Sequence, residues 1–594
     1  MKILANSLHA GIWSHSFPEE LVLRSLAEEG HDVTAIRCAG ELEKQCVTIS
    51  GMGLKSTDSA RLTEAACRKC RQRRKLLEFR SSVRSVSLGE CLSKEDMGTV
   101  DESLRELTPS NWYLHEFLGH NVARATAYEF TLEHKLNSHK ISDYLWPVFV
   151  SRVRSASLSL CAAVRMMNSL NPDLVISYNS LYSVNNVMNL EAQRRGIRTW
   201  AMHSGHSLVD RYERLCVYDS KTIPSFSYAT IEWSQHLAAP LDYEDSAIAA
   251  SHFLGLLSGS SRFTYSEGLG HRSVDSIQTR LKIPAGRKVL LATLTSGDEI
   301  FAAELAGLKP PTNETSLFNS AFEWLEWLIK EMPRFPECHL VIRVHPREMP
   351  NKRDGTQSEN VLVLRKLLAD LPPSISVNWP DDKVSLYELA QFTDVCVNFT
   401  SSAGIEMMML GIPTVIPHNA FMAAYAPEIS LRGRTHDELS SQIRLALERG
   451  WSVENTRLAM KWWGFLFRRV GIDISDRFKY PSNGYTPANS ATSKQLASKL
   501  LFWFAISGPP IVELKHLIGA GKLRHIQTVT EAFEYNKSYA ISDTTGTNVS
   551  ASQAQFTDRE VIKVELSRIF NVLSQSWDPT SHVLRSISQF LDES

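Results

Sequence analysis

The chain has 594 residues, 43% hydrophobic and 22% charged, enough for two or three domains that each bury a core. Its 64 Lys plus Arg stand against 65 Asp plus Glu, a net charge of −1, so the basic excess of a general nucleic-acid binder is excluded and no nucleic-acid partner is expected. No apolar stretch approaches the roughly 20 residues that span a bilayer. The longest, Leu500–Val512, is broken by Gly508, Pro509 and Pro510 and reads as a packed helix or a foothold on a membrane surface.

The chain opens on an apolar run, MKILANSL, that reads as a buried strand rather than a signal peptide. A helix over FPEELVLRSLAEEG follows, with Phe17, Leu21 and Leu26 on one face and Gly30 closing it, and then a strand over HDVTAIRC. Residues 92–170 read as mainly helical, rich in aromatics and histidine, and are predicted to be an insertion or lid. The alternation resumes with strand LNPDLVISYN, helix VNNVMNLEAQRRG and strand IRTWAMH. Strands alternating with helices imply a parallel sheet covered on both faces, so residues 1–235 are read as one Rossmann-like domain.

Residues 236–283 read as a linker. A second alternating block fills 284–450: strand RKVLLATLT, loop SGDE, helix SLFNSAFEWLEWLIKEM, strands HLVIRVHP and ISVNW, helix SLYELAQFTD, strand VCVNF, helix AGIEMMML and strand PTVIP. A helix over 435–449 opens with a Thr-x-x-Glu capping box. Beyond 450 helices dominate (TRLAMKWWGFLFRR, SKQLASKLLFWF, REVIKVELSRIFNVLSQSW), with the polar stretch 536–558 read as a flexible connector. The expected fold class is α/β: two Rossmann-like domains facing across a cleft, with a helical C-terminal extension over 451–594.

Ligands of open α/β sheets bind beyond the carboxyl ends of the strands. Three loops of the second domain lie there: Thr295-Ser296-Gly297-Asp298-Glu299, Arg343-Val344-His345-Pro346-Arg347 and Thr400-Ser401-Ser402-Ala403-Gly404. A Ser/Thr/Gly cluster before a helix supplies hydroxyls and backbone N–H groups to a phosphate, and Arg and His add charged donors. Singly, each has a plain structural reading. Ser401 or Ser402 is a helix cap, His345-Pro346 a rigid turn, and Met407, Met408 and Met409 core packing.

RVHPRE, followed by SLYELAQFTDVCVNFTSSAGIEMMMLGIPTVI, resembles the carboxyl-terminal half of the capsule-polysaccharide biosynthesis glycosyltransferases, a group that includes the transferases of 3-deoxy-manno-octulosonic acid. Bacterial sialyltransferases share its His-Pro and Ser-Ser motifs, which hold the donor's cytidine monophosphate. The resemblance covers residues 285–420, and the N-terminal half only in layout. It implies the GT-B fold and a nucleotide-sugar donor held at His345-Pro346 and Ser401-Ser402, with Glu406 at the ribose; Arg343, Thr400 and Ser296, in the same strand-end loops, are read from their position as further contacts of the donor's phosphate. It also implies chemistry that needs no cofactor. The family's acidic pair followed by glycine is met only as Gly297-Asp298-Glu299, in the wrong order, which leaves the catalytic carboxylate unassigned.

The N-terminal half is expected to bind the acceptor, a glycan or a lipid-linked glycan. Loops His9–His15 and His203–His206 follow strands, and a histidine suits removal of a hydroxyl proton near neutral pH; His203 and His15 are the candidate catalytic bases. Cys38, Cys46, Cys67 and Cys70 fall within 33 residues and can bind a tetrahedral structural zinc, although the spacing lacks a second close pair and four ordinary thiols remain the alternative. The basic run CRKCRQRRK beside them is a solvated helix face or a contact for anionic lipid, hence peripheral membrane association. Without a secretion signal, the chain is expected in the cytoplasm or at the inner face of the cytoplasmic membrane. The reading is a glycosyltransferase of surface-polysaccharide assembly. Its rivals are a sugar-nucleotide epimerase or polyol-phosphate transferase on the same fold, or a non-catalytic nucleotide-sugar-binding scaffold.

Overall fold

A computed structural model describes residues 1–42, 46–54, 58–221, 233–259, 261, 263–308, 316–351, 355–418, 426–479, 511–535 and 558–593. The helix predicted over 493–504 and nearly all of the connector at 536–558 lie outside them. Two sheets organise the fold. The first has seven strands: β1 (Lys2–Asn6), β2 (Asp32–Arg37), β3 (Arg84–Ser87), β4 (Leu174–Tyr178), β5 (Arg198–Ser204), β6 (Arg214–Asp219) and β13 (Gly471–Asp473), in the spatial order β13-β6-β5-β4-β1-β2-β3. The second has six: β7 (Lys288–Thr293), β8 (Cys338–Arg343), β9 (Ile375–Asn378), β10 (Val395–Asn398), β11 (Thr414–Pro417) and β12 (Leu431–Gly433), in the order β12-β11-β10-β7-β8-β9. This is the doubly wound α/β architecture expected from the sequence.

The second sheet is parallel throughout, and the first is parallel from β5 to β3. Both faces are covered by helices, so inner strands such as LVISY of β4 and CHLVIR of β8 are buried along their whole length. β6 and β13 run antiparallel at the edge of the first sheet, departing from the wholly parallel sheet expected. β13 arrives from the far end of the chain: helix Val453–Gly464 runs into one π-helical turn, Phe465–Arg469, and then returns to the N-terminal sheet.

The insertion 92–170 is built from helices Lys94–Glu106, Val122–His134 and Trp146–Leu170. It is fastened to the second domain. Lys135, fully buried at the end of its helix, donates to Met349 O and Thr356 O, and Arg124 donates to Leu305 O at 3.1 Å. The stretch read as a linker carries helices Tyr243–Leu257 and Val274–Arg280, both contributing to the core of the second domain. Between them the chain doubles back so tightly that a Cβ on Gly259 (φ +62°) would lie 2.5 Å from Gly268 N. Among the described residues no helix is long and apolar enough to cross a membrane.

Candidate functional site

In the second sheet the winding reverses between β7 and β10, and a crevice opens at the carboxyl ends of those strands. A cavity of about 330 Å³ lies there. Its wall contains Arg343, His345, Pro346, Thr400, Ser401, Ser402 and Glu406, residues spread over 64 positions that the fold brings together. Ser296 is not in the wall. It is fully buried behind it, its hydroxyl donated to Asp298.

His345 lies at the end of the β8 loop, where its Nδ1 accepts the backbone N–H of Arg347 at 3.2 Å. That bond fixes the tautomer: the proton sits on Nε2, which is left to donate to a ligand. Burial, reinforced by the charges of Arg347, Arg343 and Lys135, lowers the imidazole pKa to about 3. His345 is therefore a neutral donor, not the charged one expected from the sequence. Arg343 supplies the charge. Its Nη1 donates to Asn378 Oδ1 at 2.6 Å and to Val384 O at 2.9 Å, and burial pulls its pKa down to about 10, still protonated at neutral pH.

The hydroxyl cluster divides its work. Ser401 Oγ accepts the N–H of Ala403 at 3.3 Å, and Ser402 donates to Glu406 Oε1 at 3.0 Å. The N–H groups of Gly404, Ile405 and Glu406 bond back to Ser401 and Ser402 carbonyls, so those three backbone donors are not open to a ligand. Among the described residues Thr400 is buried with no hydrogen-bond partner for its Oγ1, a cost that a bound ligand or water relieves. Glu406 also accepts from Tyr387 OH at 2.8 Å, and burial raises its pKa above the carboxylate range.

Sequence reasoning missed part of the wall. Phe263, Thr264, Tyr265 and Ser266 come from the supposed linker, and Leu386 and Tyr387 from the helix before β10. The signal available was the glycine-rich run around 255–270, which marks close backbone approach. The acidic pair also resolves. Asp298 is fully buried and spent on Arg347, with contacts of 2.6 and 2.9 Å, while Glu299 faces the cavity. Arg347 donates as well to Tyr265 OH and to Leu132 O of the insertion, so it fastens the site rather than lining it.

His15 and His203 lie in the first domain, whose own winding reverses between β1 and β4. His15 stacks on Tyr178 at 4.4 Å between ring centroids, and Tyr178 lies 6.1 Å from His203. His203 Nδ1 donates to Ser204 O at 2.9 Å, which leaves Nε2 as the proton acceptor. Burial, then the nearby charge of Arg211, lowers its pKa to about 4, so it is neutral at physiological pH. The first domain touches the wall of the cavity at Phe263: Arg211 lies over that ring at 4.5 Å, and Tyr212 meets it at 6.0 Å.

The four cysteines are not gathered into a cage. Among the described residues no three His, Cys, Asp or Glu side chains converge as metal ligands. Cys70 Sγ accepts from Gly11 N–H at 3.1 Å, Cys67 Sγ from Arg71 at 3.2 Å and Cys38 Sγ from Gly40 N–H at 3.3 Å. Burial raises the Cys38 thiol to about 12 and pushes Cys46 and Cys70 up as well, so all three are protonated thiols. The basic run forms helix Ala60–Glu78, which turns Arg73 and Lys69 onto Glu513.

No family model and no curated protein matches the chain in sequence. Solved structures of similar course include the glycosyltransferase SnogD from Streptomyces nogalater, 12% identical, covering 78% of this chain and 95% of that one at a TM-score of 0.24. The beta Kdo 2,4 transferase KpsC from Thermosulfurimonas dismutans is 16% identical over 46% of this chain and 79% of that one, at 0.25. The UDP-GlcNAc 2-epimerase from Neisseria meningitidis, bound to UDP-GlcNAc, is 10% identical over 84% of this chain and all of that one, at 0.26. At these scores the functional case rests on the geometry of the site.

Proposed function

We propose that this protein is a glycosyltransferase that moves a sugar from a nucleotide-sugar donor to a hydroxyl of a glycan or lipid-linked glycan, in the assembly of a surface polysaccharide. One observation carries the reading: a single cavity at the switch point of the second sheet gathers Arg343, His345, Thr400, Ser401, Ser402 and Glu406. The donor's phosphate lies against His345 Nε2–H, the Thr400 and Ser401 hydroxyls and Arg343, while Glu406 and Tyr387 take the ribose. Among the described residues of the wall Arg343 is the one fixed cation, which suits a donor with a single phosphate, as in a cytidine monophosphate sugar.

The acceptor oxygen attacks the anomeric carbon as that carbon's bond to the phosphate oxygen breaks. The phosphate leaves with the electron pair, and its charge is met by hydrogen bonds already in place. The acceptor's proton passes to His203 Nε2, with His15 nearby, both rings meeting Tyr178. Helix Ile511–Ile518 exposes Val512, Leu514 and Ile518 next to the basic helix Ala60–Glu78, a surface suited to peripheral contact with the membrane that would carry a lipid-linked acceptor.

The test is a panel of nucleotide sugars with slow donor hydrolysis as the readout. Hydrolysis that His345→Ala abolishes supports the transferase. Binding without turnover of any donor supports the scaffold reading, and an inverted sugar centre without transfer supports the epimerase.

A further inference from the structure

A second cavity, of about 240 Å³, lies against the first, and Leu294, Thr295 and Ile300 line both. Its walls come from helix Gly297–Leu305, from the starts of helices Ala321–Glu331 and Asn360–Leu367, and from Asn137 of the insertion. Ile300, Phe301, Phe322 and Leu364 make most of it apolar. The polar groups form one chain. Asn137 donates to Asn360 Oδ1, and Asn360 Nδ2 donates to Glu348 Oε1 at 3.4 Å, which also accepts Gly297 N–H at 3.0 Å. A Cβ on Gly297 would lie 2.1 Å from Asn360 Nδ2, so the glycine lets that amide pack against the helix start. The chain stops at Glu348 Oε2. Glu348 is 2% exposed, and this oxygen has no hydrogen-bond partner among the described residues.

Among the described residues no Arg, Lys or His lines this cavity, whereas two carboxyl side chains, Glu304 and Glu348, do. An anionic group is therefore a poor occupant. A wholly apolar one would leave Glu348 Oε2 buried and unmatched. A hydroxyl carries a donor but no apolar part to cover the phenylalanines. The group that fits is neutral, apolar over most of its surface, and equipped with an N–H. An N-acyl group has that chemistry, with its alkyl part on Phe301 and Phe322 and its amide N–H on the carboxyl. The volume is ample, since an apolar cavity of about 150 Å³ takes up benzene.

We infer that the second cavity is a subsite for an N-acyl substituent of the donor's sugar, with Glu348 accepting the amide N–H. This rests on the transferase reading. With the ribose at Glu406 and Tyr387 and the phosphate at His345, the sugar lies towards Thr295 and Ile300, residues that line both cavities. The subsite narrows the donors to those of acylamino sugars, and through Asn137 it makes the insertion part of donor selection.

The experiment is calorimetry on the full chain with donors that differ only by a hydroxyl in place of an acetamido group. The pairs are CMP-N-acetylneuraminate with CMP-deaminoneuraminate, and UDP-N-acetylglucosamine with UDP-glucose. In a pair whose bare nucleotide binds, the acylated member is expected to bind about tenfold tighter, from one buried alkyl group and one hydrogen bond. Ala321→Leu, which fills the cavity from the start of its helix, is expected to erase that preference and leave the affinity for the bare nucleotide unchanged. Glu348→Gln keeps an acceptor for Gly297 N–H but sets an amide N–H against that of the ligand, and is expected to weaken the acylated donor severalfold. Equal affinity of the parent protein for both members of such a pair overturns the inference without recourse to a variant. A preference that Ala321→Leu leaves intact overturns it as well. If neither cytidine monophosphate nor uridine diphosphate binds, the donor reading fails separately. Free N-acetylglucosamine and glucose then report on the cavity alone: a preference for the first that Ala321→Leu abolishes supports the acyl subsite, and equal binding or none overturns it.

Discussion

His345 gives the sharpest test of the donor site. Its Nδ1 is held by the Arg347 backbone N–H at 3.2 Å, so only Nε2–H can reach a phosphate. Replacing His345 with Ala removes that donor and leaves a phosphate oxygen without its partner in a buried wall. A hydrogen bond to a charged group contributes about 1.5–3 kcal/mol, so the dissociation constant for cytidine monophosphate is expected to rise about 10- to 150-fold. His345→Gln places an amide N–H near the position of Nε2 and is expected to recover most of that loss. The pH dependence follows from the pKa of about 3. The imidazole gains a proton only near that value, so the ratio of parent to His345→Ala affinity is flat from pH 5 to 8. Calorimetric titration of the three proteins at several pH values measures all of this. Equal affinities for the Ala and Gln variants, or a ratio that climbs as pH falls from 7 to 5, would refute the neutral-donor assignment.

Thr400→Val removes a buried hydroxyl that has no partner, so thermal stability is expected to hold within about 1 °C while nucleotide affinity falls several-fold; a large loss of stability would show that the hydroxyl is bonded within the protein. Asp298→Asn strips the charge from a buried partner of Arg347 and is expected to cost about 3–5 kcal/mol, roughly 6–20 °C in the calorimetric transition of the second domain. A shift under about 2 °C would show that Tyr265 and Leu132 hold Arg347 unaided. His206 has a folded pKa of about 3, below the 6.5 of an unfolded chain, so the unfolded state takes the proton first. Its contribution to stability is present above pH 6.5 and lost as pH falls towards 3, and urea midpoints of His206→Asn are expected to fall less steeply over that window than those of the parent. Chelation is expected to leave the melting temperature unchanged, since the thiols do not converge; a drop of several degrees would reveal a metal.

Much of the fold was legible because the strands are apolar along their whole length and the helices between them keep one apolar face. That pattern is a local property of the sequence, so β1, β2, β4, β5 and β7–β11 were all marked by it. β3, β6, β12 and β13 were not: RSVS is half exposed, LRG is only three residues long, and GID pairs with a strand more than 250 positions away. The sequence by itself determined which loops end strands, and therefore that His345, Thr400, Ser401 and Ser402 lie at the edge where ligands of such sheets bind. Only the tertiary structure decided what each can do there. Burial made His345 and His203 neutral, a backbone N–H fixed one tautomer and a carbonyl the other, and Asp298 was claimed by an arginine 49 positions on. It also joined Phe263, from an apparent linker, to Arg211, because close packing sets a contact by shape and depth rather than by distance along the chain.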